Sequence, residues 1–388
     1  MKKLLLYSMA ALIAAPALAE LPADGYYRVQ SAYTKRYAYL LDNKGSINVG
    51  STSVDVGALK LYKETPEMFS DPAAVFYVEH SSTGKYKYDI SGQGTSVYKF
   101  LDQYLDIMET RKPYEGREAF LLSGTDSGAV TKYIGDIWTD LSSASGLASS
   151  EAQGDYRNWY LNPISADSDQ YFGAAPTVEA AGKYYCPMFA GFPMSAYSEG
   201  IRFYVVKEID PRGVAVIEEV KGTLPAATPV IIECASDKTT DNRLNVGGGS
   251  QSAVGVNCLK GVYFNIDDNG RHVNRTPFNK QTMRVLGLKD GKPAFVEADF
   301  DYVPRNRAYL QLTNPNDYAV KDFVLMTEEQ RDAELGAVSL IPESTVVDVY
   351  TPDGRLVKAG IAKEEVGQLG RGLYILRGAG VSEKVIVN

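Results

Sequence analysis

The sequence predicts a mainly β protein, and three observations indicate this fold class. Tyrosine is frequent, with 27 Tyr against 13 Phe in 388 residues, and an apolar ring with a polar hydroxyl suits half-buried strands. Short runs of alternating apolar and polar residues recur along the chain between turn residues. One arrangement of such runs is repeated near the N-terminus. We therefore expect β structure in three successive domains, at 20–180, 181–325 and 342–388.

The N-terminal residues have the pattern of a cleavable signal peptide. Lys2 and Lys3 precede an apolar run over residues 4–15, which is too short to span a bilayer comfortably. Ala17 and Ala19 then supply the small-x-small pattern that signal peptidase accepts. We expect residues 1–19 to be removed after Ala19 and the protein to be secreted or carried to the cell surface. No later segment has the length and hydropathy of a membrane helix, so membrane insertion is not expected.

The charge balance argues against one class of partner. The formal net charge is −8, and the basic residues form no block along the chain. A surface of this kind repels phosphate backbones, so we do not expect a nucleic-acid partner.

An internal repeat organises the first domain. Its first copy contains the series Val29, Thr34, Tyr37, Tyr39 and Gly45. The same residue types recur 49 positions later without a gap, as Val78, Thr83, Tyr86, Tyr88 and Gly94. The alternation around the tyrosines predicts a strand, a short turn and a second strand in each copy. A looser third copy is predicted to begin at Trp159 and to reach Gly173.

Repeats of this size need their neighbours to bury their apolar faces. Three such units closing on one another would make a β-trefoil, and the spacing resembles that of the ricin-type β-trefoil family. The Gln-x-Trp signature of that family is missing. Between the second and third copies, Val97, Leu101 and Met108 recur at helical spacing, so a helical insertion is predicted near 97–155.

The second domain, at 181–325, is predicted to be a β-sandwich-like module. Strands are expected at 201–206, 214–217 and 230–232, with a turn at 210–213 between the first two. Residues 184–193, 200–206 and 224–232 together resemble a module found in many secreted Bacteroidetes proteins. That resemblance attaches no activity to the module.

The end of the chain contains a connector and a small β unit. Thr327 and Gln330 have the spacing of a capping box, which predicts a helical connector at 326–341. Residues 342–388 contain a Gly-Arg-Leu-Val hairpin, a Gly-Leu-Tyr-Ile strand and a closing Lys-Val-Ile-Val strand. These motifs resemble the C-terminal sorting domain of type IX secretion, which implies delivery to the cell surface.

Few residues indicate chemistry. His80 and His272 are the two histidines, and neither is set in a nucleophile motif. Cys186, Cys234 and Cys258 lack metal-ligand spacing, and one disulfide among them or three buried thiols would fit the composition. No cofactor or metal is expected, and no catalytic residue is assigned.

One acidic stretch offers an enzymatic alternative. Glu297, Asp299 and Asp301 alternate along one stretch and would point the same way if that stretch were a strand. A carboxylate pair can hydrolyse glycosides, but it needs a second carboxylate across a cleft. A solvated strand face is the simpler interpretation.

The function favoured by these patterns is that of an exported, non-catalytic binding protein whose ligand is a glycan or an extracellular protein. Tyr37, Tyr39, Tyr86 and Tyr88 would be candidates for stacking on a sugar, although repeated tyrosines of this kind more often belong to a core. The alternatives are a secreted carboxylate-dependent glycoside hydrolase and a structural component of the cell envelope.

Overall fold

The computed structural model describes most of the chain after residue 20. The described residues are 21–41, 45–49, 52–56, 59–81, 88–94, 107–110, 113–125, 131–136, 148–150, 154–263, 276–318, 320–335, 341, 345–378 and 380–387. The chain divides into two compact units, residues 1–325 and 326–388. Strands dominate both units, which confirms the mainly β prediction.

The described residues before 164 form twelve strands of the first unit. They are β1 (Gly25–Ser31), β2 (Tyr37–Leu40), β3 (Gly45–Val49), β4 (Thr52–Val56), β5 (Leu59–Tyr62), β6 (Phe76–His80), β7 (Tyr88–Gly92), β8 (Ile107–Thr110), β9 (Phe120–Thr125), β10 (Thr131–Gly135), β11 (Ala148–Ser150) and β12 (Asn158–Pro163). Ten of these strands form one sheet, in which pairing runs from β7 through β6, β1, β12 and β9 to β8. The buried side chains of this sheet form a core around Val29, Phe76 and Trp159.

Thirteen further strands complete the first unit or end at its boundary. They are β13 (Phe172–Gly173), β14 (Val178–Ala180), β15 (Lys183–Met188), β16 (Met194–Ala196), β17 (Arg202–Asp210), β18 (Val214–Val220), β19 (Val230–Cys234), β20 (Arg243–Val246), β21 (Leu259–Val262), β22 (Met283–Lys289), β23 (Lys292–Val296), β24 (Arg307–Gln311) and β25 (Phe323–Met326). Ten of them form a second large sheet, and β13, β20 and β16 form a small one. A shared core of β17–β19 and β21–β25 side chains, around Val206 and Phe295, shows that the two halves of the large sheet face each other.

The described residues of the second unit form one α-helix and a four-stranded sheet. The helix is α1 (Glu328–Leu335), and the strands are β26 (Val346–Tyr350), β27 (Leu356–Ala362), β28 (Gly372–Gly378) and β29 (Val381–Val387). Short 3₁₀ turns occur in both units, at Pro66–Ser70, Pro72–Ala74, Asp155–Arg157, Thr239–Asp241, Pro315–Asp317 and Lys363–Gln368. The capping box is confirmed. The backbone N–H of Gln330 donates to Thr327 Oγ1 at 3.3 Å, and the backbone N–H of Thr327 donates to Gln330 Oε1 at 2.9 Å.

The first two repeat copies form the predicted hairpins. β1 pairs with β2, and β6 pairs with β7. The two copies also pair with each other, with Tyr27 opposite Phe76. The third copy was predicted wrongly in its second half. Trp159 lies in β12, but Phe172 lies in β13 and pairs with β20 of the small sheet instead of folding back on β12. The complete trefoil therefore stays a prediction.

The helical insertion predicted near 97–155 is wrong over its described residues. Met108 lies in β8, and β8–β11 occupy the stretch where helix was expected. Val97 and Leu101 lie outside the described residues. The reason for the strands is tertiary pairing: β8 pairs with β9, and Phe120 of β9 is buried in the repeat core. This pairing overrides a weak helical spacing.

The predicted boundary at residues 180 and 181 lies inside the first unit. Gln93 shows why, because its buried side chain reaches from the end of β7 into the following strands. Its Nε2 donates to Asn306 Oδ1 at 2.9 Å, and its Oε1 accepts the backbone N–H of Gly191 at 2.9 Å. Arg305 also forms a bidentate ion pair with Asp71, in which Nη1 donates to Oδ1 at 2.9 Å and Nη2 donates to Oδ2 at 2.6 Å. These buried and half-buried contacts tie the repeats to the second large sheet.

Candidate functional site

The first component of the candidate site is the turn between β1 and β2. The Ser31 N–H donates to Arg36 O at 2.8 Å, and the Lys35 N–H donates to Ser31 O at 2.9 Å. The Thr34 N–H donates to Ser31 Oγ at 3.2 Å. These bonds close the turn, and they leave Tyr33 half exposed at its tip, at 50% of its full accessible surface.

A buried ion pair anchors this turn to the sheet. Arg36 Nε donates to Asp136 Oδ2 at 3.0 Å, and the two side chains are 1% and 0% exposed. The Thr34 hydroxyl also donates to Asp136. A buried charge is costly unless it is paired and hydrogen-bonded. Asp136 therefore fixes the position of the turn that carries Lys35.

The second component is a tight turn at residues 114–117, just before β9. The Tyr114 N–H donates to Arg117 O at 2.8 Å, and the Arg117 N–H donates to Tyr114 O at 3.0 Å. Its central residues, Glu115 and Gly116, have φ of 48° and 79°, as in a type I′ turn. Glycine suits the second position because it adopts positive φ without steric cost.

The two turns meet over the ring of Tyr160 in β12, whose side chain is 1% exposed. Lys35 Nζ lies 5.1 Å from the ring centroid, and Arg117 Cζ lies 4.0 Å from it. Lys35 Nζ also donates to Glu115 Oε2 at 2.5 Å and to Ala32 O at 2.6 Å. Cations at these distances from an aromatic ring are attracted by its negative face. We call Lys35, Tyr114, Glu115, Arg117, Tyr160 and Asn162 the two-turn cluster.

Asn162 connects Arg117 to the interior of the sheet. Arg117 Nη2 donates to Asn162 Oδ1 at 2.7 Å, and Asn162 Nδ2 donates to Gln30 Oε1 at 3.2 Å. Gln30 Nε2 in turn donates to Lys35 O at 3.0 Å. This chain of amides links both turns and holds the exposed guanidinium of Arg117 in place. Within the described part of the chain, no carboxylate lies within ion-pair distance of Arg117.

Two pKa shifts follow from the contacts of the two-turn cluster. Burial lowers the pKa of Lys35, but the hydrogen bond with Glu115 and the proximity of Tyr160 outweigh burial and raise it overall. The pKa of Tyr114 is raised by burial first and then by the carboxylates Asp155 and Glu115. At neutral pH Lys35 is therefore charged and Tyr114 is protonated. The cluster presents two cations, the carboxylate of Glu115 and neutral hydrogen-bonding groups.

The described tyrosines that the sequence analysis considered for sugar stacking lie in cores. Tyr37, Tyr39 and Tyr88 are 3%, 6% and 1% exposed, and Tyr86 lies outside the described residues. A sugar cannot stack on a ring that is already covered on both faces. The described three therefore have the packing role, and none of them is a stacking position for a ligand.

The acidic stretch follows the end of β23 (Lys292–Val296) instead of lying in a strand, as the sequence analysis expected; it is exposed, and two of its three carboxylates are paired with cations. We call Glu297, Asp299 and Asp301 the acidic strip. Glu297 Oε1 lies 3.5 Å from Arg284 Nη2 and 3.5 Å from Lys321 Nζ. Lys280 donates to Asp299 at 2.5 Å and lowers the pKa of that carboxyl. A general acid in glycoside hydrolysis requires a raised pKa, so the shift at Asp299 runs against that role.

The histidines and cysteines form no reactive site in the described residues. His80 is exposed and its ring lies 5.1 Å from that of Tyr88, while His272 lies outside the described residues. Cys186 and Cys234 are buried, Cys258 is half buried, and all three thiols are free. Burial raises the pKa of each thiol, which favours the unreactive protonated form.

Other sequence-based predictions concern features of the whole chain. Ala17 and Ala19 lie outside the described residues. No helix in the described ranges has the length and apolar character needed to cross a membrane. No group of three or more His, Cys, Asp or Glu side chains in those ranges is arranged to hold a metal ion.

The sequence analysis did not single out the two-turn cluster. Pro113 and Gly116 are turn signals that could have been found. The contribution of Tyr160 could not, because only the pairing of β12 with both β1 and β9 brings it beneath the two turns. Comparison of the chain with protein-family models, with curated proteins and with solved structures finds no match.

Proposed function

We propose that this protein is an exported, non-catalytic binding protein, that its ligand is a glycan, and that the two-turn cluster binds it. The observation that carries the proposal is the exposed side chain of Arg117, which is held by the ring of Tyr160 and the amide of Asn162. A polar ligand is bound more tightly by groups that are already fixed, because less conformational entropy is lost on binding.

Three further features support a glycan as the ligand. Glycans expose hydroxyl groups, and the cluster offers both charged donors and the carboxylate of Glu115 as an acceptor. Tyr33 lies in the same turn as Lys35 and is half exposed, so its ring is accessible to the C–H face of a sugar. The resemblance of the repeat spacing to ricin-type trefoils agrees with this ligand class.

Export is proposed from the sequence. The N-terminal apolar segment with Ala17 and Ala19 supports passage through a secretory route. The resemblance of residues 342–388 to a type IX sorting domain supports delivery to the cell surface. A glycan-binding protein at that location would meet its ligand outside the cell.

A glycan array tests the proposal. The purified protein should bind a defined group of glycans saturably, and Arg117→Gln should reduce that binding. Arg371→Gln is the matched control, since Arg371 is an exposed arginine of the second unit, and it should bind like the unchanged protein. Absence of binding to every glycan would reject the proposal and favour an extracellular protein as the ligand. Equal losses in both variants would show that the binding site lies elsewhere.

A further inference from the structure

We infer that the glycan recognised by the two-turn cluster is acidic and that Arg117 binds its carboxylate, an inference that rests on the function proposed above. The starting point is the unequal pairing of the two exposed cations. Lys35 already has a carboxylate partner, Glu115, at 2.5 Å. Arg117 has an amide and a ring as neighbours, and no carboxylate of the described residues lies within ion-pair distance of it.

The geometry of Arg117 leaves donors for a ligand. A guanidinium carries five N–H groups in one plane, and one of its nitrogens, Nη2, donates to Asn162 Oδ1 at 2.7 Å. Arg117 Cζ lies over the Tyr160 ring, 4.0 Å from its centroid. A ring in this position contacts the face of the guanidinium, and its N–H groups donate in the plane. The side chain is exposed, so the remaining donors are open to a solute.

A carboxylate fits these donors best. Its two oxygens match the planar fork of a guanidinium and can accept two parallel hydrogen bonds. Hydrogen bonds between charged partners are roughly twice as strong as those between neutral ones. A hydroxyl offers one acceptor atom and no charge. The unpaired cation therefore selects a sugar that carries a carboxylate, such as a hexuronic acid.

The charge of the whole protein makes this site selective. The net charge is −8, so the surface as a whole repels anions, and binding of an acidic sugar depends on the local cations of the cluster. Salt screens such exposed interactions. Binding of an acidic sugar should therefore weaken as ionic strength rises, and binding of a neutral sugar should not.

The test uses the full-length protein and pairs of oligosaccharides. Each hexuronic-acid oligosaccharide is compared by calorimetry with its carboxyl-reduced, neutral counterpart and with an oligosaccharide of the same length that carries sulfate groups and no carboxylate. We expect the acidic form to bind about tenfold more tightly than the reduced form, because the reduced form lacks one charge-assisted contact. Arg117→Gln should remove that difference, and Arg117→Lys should retain part of it, because the charge remains without the fork. Arg371→Gln should change nothing.

The outcomes separate the inference from the proposed function. Equal binding of the acidic and reduced forms would overturn the inference and leave glycan binding intact. Tighter binding of the sulfated form would show that the site prefers another oxyanion. An Arg117→Gln protein that keeps its circular dichroism and still prefers the acidic form would also overturn it. If no oligosaccharide binds, and the glycan array is also negative, the proposed function itself fails.

Discussion

The two-turn cluster and the acidic strip are both exposed groups of charged side chains, but their charges are paired differently. In the acidic strip, Glu297 lies between two cations and Asp299 is bonded to Lys280. In the two-turn cluster, Lys35 is paired with Glu115, while Arg117 is held by neutral groups. Two of the three carboxylates of the acidic strip are therefore paired with cations, whereas Arg117 has no carboxylate of the described residues within ion-pair distance.

This difference shows that the number of charges in a patch is a poor guide to function. The acidic strip was visible in the sequence as three alternating carboxylates. Its cations belong to residues 280, 284 and 321, and no local pattern predicts that they lie nearby. Exposed ion pairs of this kind contribute little to stability. A fixed cation without a counter-ion is more informative, since it must be compensated by solvent or by a ligand.

The largest expected effect tests whether the Lys35 turn is rigid. Replacing Asp136 by asparagine leaves the buried charge of Arg36 without its carboxylate, and loss of one partner of a buried pair costs about 3–5 kcal/mol. We expect the free energy of unfolding of the first unit, measured by urea denaturation, to fall by that amount in the Asp136→Asn protein. Its glycan binding should also fall at ligand concentrations where the variant is still folded.

The matched control for Asp136→Asn replaces both partners of the pair. Arg36→Met combined with Asp136→Leu removes the charge as well as its counter-ion, so much of the lost stability should return. A loss below about 1 kcal/mol in Asp136→Asn would contradict the anchoring role, because it would match the cost of an exposed pair.

A second prediction gives Arg117 of the two-turn cluster an internal carboxylate partner, as the cations of the acidic strip have. Asn162→Asp places a carboxylate 2.7 Å from Arg117 Nη2, where the amide oxygen now lies. The internal carboxylate should then compete with the ligand, and binding of acidic oligosaccharides should fall about tenfold, or 1.4 kcal/mol. Calorimetry measures the effect. Asn162→Leu is the comparison, since it removes the hydrogen bond to Arg117 without adding a charge, and it should weaken binding less.

Local patterns in the sequence predicted much of the fold because they depend on neighbours in the chain. The repeat hairpins, the turn before Val214 and the capping box at Thr327 were all predicted from residues within a few positions of one another. The helical insertion failed for the same reason. The spacing that includes Met108 favoured a helix locally, and the pairing of β8 with β9 decided the outcome.

Local patterns could not predict the candidate site, because its residues are far apart in the sequence. Arg117 and Lys35 are 82 residues apart (117 − 35), and Tyr160 is another 43 residues further on (160 − 117). Their meeting point is set by the pairing of β12 with β1 on one side and with β9 on the other. The sequence also suggested Tyr37 and Tyr39 as binding candidates, whereas burial assigns them to a core.

The smallest expected effect concerns the acidic strip and completes the comparison. Asp299→Asn removes an exposed pair with Lys280, and we expect no measurable shift in the midpoint of thermal unfolding. Glu297→Gln should lower the free energy of unfolding by at most about 1 kcal/mol, because the Glu297 side chain is 43% exposed.

Neither change should create a new site for acidic sugars. Arg284 is 4% exposed and already donates to the carbonyls of Lys280 and Lys321, so it stays covered. Acquired binding of a hexuronic-acid oligosaccharide by Glu297→Gln would contradict the idea that a binding cation must be exposed and free of carboxylate partners, as Arg117 is among the described residues.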